Sequence, residues 1–323
     1  MTSTPRVSIL ITSYNSGPFL AEEVRSLMAQ TYRDLEIVIS DDASTDNTAR
    51  IVAGLASEDS RIRPSMGQVN RGLPANYNSA LEKCRGEYIA TMDADDVFYP
   101  GKIETQVQFL DQHPECGLCT HDMEGFDSET GKTIRLYAEP ARILGPEVVF
   151  PTRWLLGKAH QGLRPSILAR SIFLRAARYD ARFHATHEVL YRAECMAITK
   201  LKWGHVPEAM GRYRIHPAQL SRAGAYTDKV LEESLLCFAV AQARHPELGP
   251  LIRRHRDWYL FRHSLYDWFP PEERSEFARM THREIGPVRS FYLEALRIAL
   301  RMPSLMAFTR PVRRLVKRVA RSL

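Results

Sequence analysis

Residues 7–44 read VSILITSYNSGPFLAEEVRSLMAQTYRDLEIVISDDAS. Val7–Thr12 is a β-branched run that predicts a strand. Ser16–Gln30 places its apolar residues on one helical face, which predicts an amphipathic helix with Ser16 at its N-cap. Leu35–Ser40 is a second short apolar run. A strand, a helix and a strand at this spacing indicate two parallel strands joined by a helical crossover.

The alternation continues beyond this stretch. Ser44–Ala56 and Leu73–Arg85 have helical periodicity, with Ser44 or Thr45 as the cap of the former. Arg61–Ser65 predicts an edge strand because it contains a proline, and Glu87–Met92 predicts a buried strand. We therefore expect an α/β protein whose mostly parallel sheet carries helices on both faces.

Polar side chains follow three of the predicted strands, at the end where ligands of parallel sheets bind. The residues at these ends are Thr12, Tyr14, Asp41, Asp42, Asp93, Asp95 and Asp96. Turn and cap preferences alone also place Asp and Ser at such positions. Two neighbouring carboxylate clusters repel, however, and a hard cation such as Mg²⁺ or Mn²⁺ relieves the repulsion. Such an ion would bridge a diphosphate.

Other site types receive little support from the sequence. No Gly-rich dinucleotide fingerprint follows any predicted strand, and residues 125–133 miss the P-loop pattern by one residue. A hairpin turn on Gly131 explains that stretch better. Cys116, Cys119 and His121 have metal-like spacing, but they lack a second ligand pair, and buried cysteines are the better interpretation. Five scattered cysteines do not indicate a disulfide framework.

Composition limits the class of protein. The chain has 323 residues, of which 44% are hydrophobic, and contains no apolar run long enough to cross a bilayer. The first residues predict a strand and not a signal peptide, so we expect a cytoplasmic protein. The net charge is +6, and residues 251–323 hold sixteen Lys and Arg against seven Asp and Glu. The basic part therefore needs its own explanation.

Residues 7–48 and residues 70–96, which read NRGLPANYNSALEKCRGEYIATMDADD, resemble the opening blocks of family 2 glycosyltransferases with the GT-A fold. The second block ends in the D-x-D signature of that family. The resemblance covers about the first 220 residues. It implies a Rossmann-like GT-A catalytic domain over residues 1–224, which leaves a helical, basic C-terminal region at residues 225–323.

The resemblance implies roles for individual donor-site residues. Thr12 and Tyr14 match positions that line the nucleobase pocket, and Asp42 or its neighbour Asp41 matches the acid that binds a uracil N–H. Asn78 matches a position in the helix that flanks the donor. Asp93 matches the acid near the ribose and metal, and Asp95 matches the direct ligand of Mn²⁺ or Mg²⁺. In residues 211–222, GRYRIHPAQLSR, Arg214 and His216 match positions over the diphosphate, where His216 could ligate the metal.

A further matched stretch carries the proposed base. Residues 179–196, YDARFHATHEVLYRAECM, resemble a segment that commonly reads F-D-E…E-D-x-x-L-x-x-R in relatives, in which the second acid of the E-D pair is the general base. Aligning Asp180 places His187 and Glu188 on that pair, so Glu188 is the base candidate. The departure from E-D leaves two further options, in which His187 shares the proton transfer or the register differs by one. An acid at a helix N-terminus can also be purely structural.

The family implies an inverting, metal-dependent transfer of a sugar from a nucleotide sugar, with UDP as the expected nucleotide, to a hydroxyl of a glycan or lipid-linked acceptor. Hexosyl or N-acetylhexosaminyl transfer in cell-surface polysaccharide biosynthesis is the expected setting. One alternative is a catalytically inactive protein that binds sugar nucleotides. The other is a nucleotidyltransferase, whose Gly-rich, Arg-containing loop after the first strand is absent here.

The last segment, residues 307–323, reads AFTRPVRRLVKRVARSL. Its apolar residues fall at helical spacing, and five basic residues occupy much of the opposite face. A basic amphipathic helix suits an anionic membrane surface, so we expect peripheral attachment at the inner face of the plasma membrane. Packing of this helix on the catalytic domain is the alternative. The sequence contains no recognised nucleic-acid-binding module, so nucleic acid is not an expected partner.

Overall fold

A computed structural model of the protein describes residues 4–137, 149–150, 164–183, 187–216, 236–249 and 252. The first part alternates strands and helices, as the sequence predicts. Its elements are β1 (Val7–Ser13), α1 (Gly17–Met28), β2 (Leu35–Asp41), α2 (Thr48–Glu58), β3 (Ile62–Met66), α3 (Leu73–Lys83) and β4 (Tyr88–Asp93).

The second part is richer in short strands. Its elements are β5 (Val97–Phe98), α4 (Lys102–Gln112), β6 (Cys116–Asp127), β7 (Thr133–Tyr137), β8 (Val149–Phe150), β9 (Leu168–Arg170), α5 (Ser171–Leu174), α6 (His187–Thr199) and β10 (Lys202–Ile215). Short 3₁₀ turns span Arg164–Ser166 and Pro246–Leu248, and residues 236–244 are helical.

One sheet joins these strands in the order β3-β2-β1-β4-β9-β6-β10-β5, with β7 paired to β6 and β8 paired to β10. The first four strands in this order are parallel, and β6 and β10 form a further long parallel pair. The short strand β9 is antiparallel to both of its neighbours, and β5 is antiparallel to β10. The α/β class is therefore confirmed, and the predicted parallel order holds through β4.

Helices cover both faces of the parallel part because successive side chains of β1 point to opposite faces. Ile9 and Ile11 belong to one buried cluster together with the apolar faces of α1 and α2. Leu10 belongs to a second cluster with Tyr77 and Leu81 of α3. This arrangement confirms the prediction of helices on both faces.

Three local predictions can be compared with the structure. The prediction that α2 begins at Ser44 is wrong, because the helix begins at Thr48 and Asn47 occupies the cap position. In the loop before the helix, Asp46 accepts a hydrogen bond from the Thr48 amide at 2.9 Å. The prediction of an edge strand containing Pro64 is confirmed in β3. The hairpin turn between β6 and β7 is also confirmed, with Gly131 at φ 68°.

The cysteines are buried free thiols, with Cys116 and Cys119 both in β6. No helix within the described ranges is long and apolar enough to cross a membrane.

The described residues up to Cys237 lie in one compact unit, and those from Phe238 lie in a second. The predicted domain boundary between residues 224 and 225 stays a prediction. The basic segment 307–323 lies outside the described residues.

Lys102, the first residue of α4, is completely buried. Its ammonium donates a hydrogen bond to Gln106 Oε1 at 2.8 Å and lies 5.3 Å from the centre of the Phe98 ring. Burial lowers the pKa of Lys102 from the ordinary 10.5 to about 7. Lys102 therefore releases its proton on folding around neutral pH.

We expect a pH-dependent contribution of Lys102 to stability. Between pH 7 and 10 the unfolded chain keeps the Lys102 proton and the folded protein releases it, so the free energy of unfolding rises with pH. The slope from this one group approaches about 1.4 kcal/mol per pH unit. Urea unfolding at pH 7, 8 and 9 should show this slope in wild type and its loss in Lys102→Met. The exposed Lys132→Met is the control, and parallel pH profiles for wild type and Lys102→Met would contradict the account.

Candidate active site

The carboxyl ends of β1, β2 and β4 meet at one edge of the sheet. Thr12 lies between Ser40 of β2 and Asp93 of β4, and Ser13 lies beside Asp41. The hydroxyls of Thr12 and Ser13 are buried and have no hydrogen-bond partner within the described ranges. The register thus brings together residues that the sequence places at separate strand ends.

The loop after β1 is fixed against the loop after β2. Asn15, at φ 50°, donates its amide to Ser44 Oγ at 2.8 Å and accepts the Thr45 amide at 2.9 Å. Gly17 donates its amide to Asp46 Oδ2 at 3.1 Å, and a Cβ at Gly17 would come within 2.0 Å of Asn47 Oδ1. These contacts leave the ring of Tyr14 half exposed at the edge of the site. Its predicted packing on a nucleobase stays a prediction.

Asp41 and Asp42 are buried, and both bind neighbouring loops. Asp41 accepts hydrogen bonds from the amide and the hydroxyl of Ser44. Asp42 accepts the amides of Arg71 and Gly72 at 3.0 and 2.7 Å. Each carboxylate therefore shapes one wall of the site. Recognition of a uracil N–H by either acid stays a prediction.

Asn78 has a structural partner. Its side-chain amide donates to the Tyr179 carbonyl at 2.8 Å and its side-chain oxygen accepts the Tyr179 amide at 3.0 Å. The Tyr179 ring stacks on Tyr77 with centroids 4.1 Å apart. Asn78 thus joins α3 to the chain that leads into α6. The predicted donor contact is untested, but both polar groups of this side chain already have partners.

The predicted metal-binding residues Asp95 and His216 lie together. His216 follows β10, and its Nε2 is 3.2 Å from Asp95 Oδ2. The His216 ring also packs on Phe19, with centroids 4.8 Å apart. Burial raises the pKa of Asp95, and the neighbouring His216 opposes this rise. A carboxylate oxygen and an imidazole nitrogen are therefore close enough to bind the same ion. They lie at the loop of residues 93–96, which we call the D-x-D loop.

Arg214 holds this loop from the protein interior. Its backbone amide donates to Asp96 Oδ1 at 2.9 Å, and its Nε donates to the Asp95 carbonyl at 2.7 Å. The guanidinium also pairs with Glu22 and packs against the Phe19 ring at 4.8 Å. Arg214 is buried, so the observed contacts position the D-x-D loop. Contact of Arg214 with the donor stays a prediction.

Two carboxyls behind this loop are completely buried. Neither oxygen of Glu23 in α1, and not Asp96 Oδ2, has a hydrogen-bond partner among the residues that the structure describes. Burial raises the pKa of both groups well above their usual range, and the nearby carboxylates add to the rise. Glu23 was not among the residues predicted from the sequence, although it is an acid on the apolar face of α1 between Leu20 and Val24.

Glu188 lies in the first turn of α6 between two arginines. Arg192, one turn further on, pairs with Glu188 Oε2 at 2.9 Å, and Arg164 Nε is 3.4 Å from Glu188 Oε1. Arg164 also pairs through Nη2 with Asp93. Neither arginine was among the site residues predicted from the sequence. His187 begins α6, and its side chain lies outside what the structure describes.

The donor set suits a divalent ion that is shared with a phosphate ligand. Within the described residues no group of three or more His, Cys, Asp and Glu side chains could hold a metal alone. Asp95 and His216 offer two donors, and Mg²⁺ or Mn²⁺ commonly uses few protein ligands when substrate phosphates supply the rest. Asp93, which was also predicted at the metal, is paired with Arg164 in this structure. Asp95 and His216 therefore fit such an ion together with a diphosphate.

Comparison with known proteins agrees with this fold. Residues 8–164 match the family model described as "Glycosyl transferase family 2". The protein EpsE of Bacillus subtilis is 40% identical over 128 residues, which are 39% of this chain and 46% of EpsE. A glycosyltransferase of Methanocaldococcus jannaschii, MJ1057, is 26% identical over 65% of this chain and 71% of its own length. The chain thus spans less than half the length of EpsE.

Solved structures agree over most of the chain. TarS 1–349 of S. aureus in complex with UDP-GlcNAc aligns with a TM-score of 0.65 and 17% identity over 92% of this chain and 86% of that one. The mannosyltransferase PcManGT of Pyrobaculum calidifontis, in complex with GDP-Man and Mn²⁺, aligns with a TM-score of 0.59 and 17% identity over 98% and 84%. At this identity the likeness shows the fold, which is the GT-A fold of these glycosyltransferases.

Proposed function

We propose that the protein transfers a sugar from a UDP-sugar to an acceptor hydroxyl, because residues 8–164 match the family model described as "Glycosyl transferase family 2". One observation carries the proposal. Asp93 at the end of β4 and Glu188 in α6 meet at the same strand-end edge, where Arg164 contacts both. A donor-side acid and a base candidate are therefore adjacent at the edge where ligands of such sheets bind.

The nucleotide would occupy the edge formed by β1 and β2. The half-exposed Tyr14 ring offers a stacking surface for a base, and the Thr12 hydroxyl has no protein partner within the described ranges. Asp41 or Asp42 lies beside this position and would accept the uracil N–H. Complexes of TarS with UDP and with UDP-GlcNAc support UDP as the nucleotide.

The diphosphate would lie beside Asp95 and His216, which would hold Mn²⁺ or Mg²⁺ with it. When bound, such an ion neutralises charge that develops on the leaving diphosphate. The complex of PcManGT with GDP-Man and Mn²⁺ supports this choice of metal. Arg214 acts from the interior, where its bonds to Asp95 and Asp96 keep the loop in place.

Glu188 would act as the general base. The acceptor hydroxyl attacks the anomeric carbon, its proton passes to a Glu188 oxygen, and the bond from the anomeric carbon to the diphosphate oxygen breaks. The nucleoside diphosphate leaves with the electron pair. One displacement of this kind inverts the anomeric centre without a protein nucleophile. Arg192 and Arg164 contact the two oxygens of Glu188 and so orient its carboxylate.

We expect Asp95→Asn to separate binding from folding. UDP affinity should rise with Mn²⁺ in wild type and lose this dependence in the variant, and transfer should fall by about a hundredfold or more. Calorimetric titration of UDP with and without Mn²⁺, followed by turnover of a panel of UDP-sugars, measures both effects. The exposed Asp34→Asn is the control. Equal Mn²⁺ dependence in wild type and Asp95→Asn would discard the metal assignment, and UDP binding without any turnover would favour the inactive sugar-nucleotide-binding alternative.

The acceptor would be a hydroxyl of a glycan or a lipid-linked acceptor, and residues 225–323 would form the helical region that brings the enzyme to it. The sequence pattern of residues 307–323 supports a role at an anionic membrane surface. Removing residues 303–323 should reduce sedimentation with vesicles that contain phosphatidylserine, while vesicles of phosphatidylcholine alone serve as control. Equal sedimentation of both proteins with the anionic vesicles would leave this segment without a membrane role.

A further inference from the structure

The buried side chain of Arg164 contacts both the donor-side acid Asp93 and the base candidate Glu188. Its Nη2 pairs with Asp93 Oδ1, and its Nε lies 3.4 Å from Glu188 Oε1. Nε and Nη2 form one edge of the planar guanidinium, so their separation is fixed by covalent geometry. The relative position of the two carboxylates is therefore set by a single rigid group.

Burial shows which groups face the open side of the site. The side chain of Arg164 is 8% exposed, whereas those of Asp93 and Glu188 are 28% and 26% exposed. The guanidinium thus lies deeper in the protein than the two acids, whose side chains are partly open to solvent.

The backbone of Arg164 is fixed to the sheet. The Thr91 hydroxyl of β4 donates to the Arg164 carbonyl at 3.0 Å, and the Ile167 amide donates to the same carbonyl at 3.1 Å. The Thr91 amide donates in turn to the Ile167 carbonyl at 3.3 Å. Arg164 is therefore attached to the same strand that ends at Asp93, two residues beyond Thr91.

Arg192 completes the arrangement from the other side. It pairs with Glu188 Oε2 at 2.9 Å, so both oxygens of Glu188 are held by cations. Two guanidinium groups then balance two carboxylates. Removal of Arg164 would leave Asp93 and Glu188 as neighbouring like charges, which repel in a partly buried site.

We propose that Arg164 is a positioning residue that fixes Glu188 relative to the donor-side acid Asp93. An effect of this positioning on catalysis rests on the transfer reaction proposed above. Neither the family resemblance nor the strand-end pattern of the sequence points to this residue. Its expected contribution is geometric, because a displacement of about 1 Å between reacting groups can cost about a hundredfold in rate.

The first test separates turnover from donor binding. Arg164→Met should lower kcat by about a hundredfold while the KM for the UDP-sugar changes less than about threefold. Arg164→Lys keeps the charge, but an ammonium cannot contact two carboxylates along one edge, so kcat should stay at least about tenfold low. Arg170→Met is the control, because Arg170 is half-buried and bonds only the carbonyls of Cys116 and Leu110 and the Tyr88 hydroxyl in the described contacts. Wild-type kcat in Arg164→Met or Arg164→Lys, or a raised KM alone, would overturn the proposal.

The second test needs no substrate. In the background that keeps Arg164, the double variant Asp93→Asn with Glu188→Gln leaves the buried guanidinium without either acid. The unfolding equilibrium constant should then be about tenfold larger than the two single substitutions predict when their separate effects on that constant are multiplied. In the Arg164→Met background this extra factor should vanish or reverse, because the acids then repel each other. An equal factor in both backgrounds, measured by urea unfolding, would overturn the proposal.

The two tests also distinguish two kinds of failure. If wild type turns over no nucleotide sugar, the proposed function fails, and the unfolding cycle still decides whether Arg164 links Asp93 to Glu188. If wild type is active and Arg164→Met is equally active, the transfer reaction stands and the positioning role fails.

Discussion

Electrostatic repulsion at the carboxyl edge of the sheet is the constraint on which the site depends. Parallel strands end together, so the acids that follow them are brought close by the register alone. The protein offsets this charge in two ways. Buried arginines pair with the acids that face outward, as Arg164 does with Asp93. Burial raises the pKa of the innermost carboxyls, Glu23 and Asp96, and so favours their neutral forms.

Two of the arginines near these acids lie in or beside the strands beyond β4. Arg214 lies near the end of β10, and Arg164 lies in the 3₁₀ turn before β9, the strand that pairs with β4. The antiparallel strand β9 therefore delivers a cation to the end of β4. If the strand beside β4 were parallel to it, the carboxyl end of that strand would lie there instead of its amino end. The mixed topology beyond β4 thus has a direct consequence for the charge of the site.

The sequence predicted features that depend on local pattern. The alternation of β1, α1, β2 and the later elements followed from periodicity, and the strand-end acids followed from parallel pairing. Arg164 could not be found in this way, because it is far from Asp93 and Glu188 in the chain and the segment before it contains no regular pattern. Arg192 could have been found, since it lies four residues after Glu188 on one helix face. The start of α2 was misplaced because Asp46 accepts the amides of Gly17 and Thr48, which keeps residues 44–46 in the loop, and the helix begins only at Thr48.

In the proposed reaction an acceptor hydroxyl displaces the nucleoside diphosphate in one step, and Glu188 takes the proton. The anomeric configuration of the product distinguishes this displacement from a transfer with retention. A UDP-sugar that the enzyme turns over is incubated with its acceptor, and the coupling of the anomeric proton is followed by NMR in donor and purified glycoside product. We expect an α-linked donor to yield a β-linked product. A product that keeps the α configuration of the donor would rule out a single displacement with Glu188 as base.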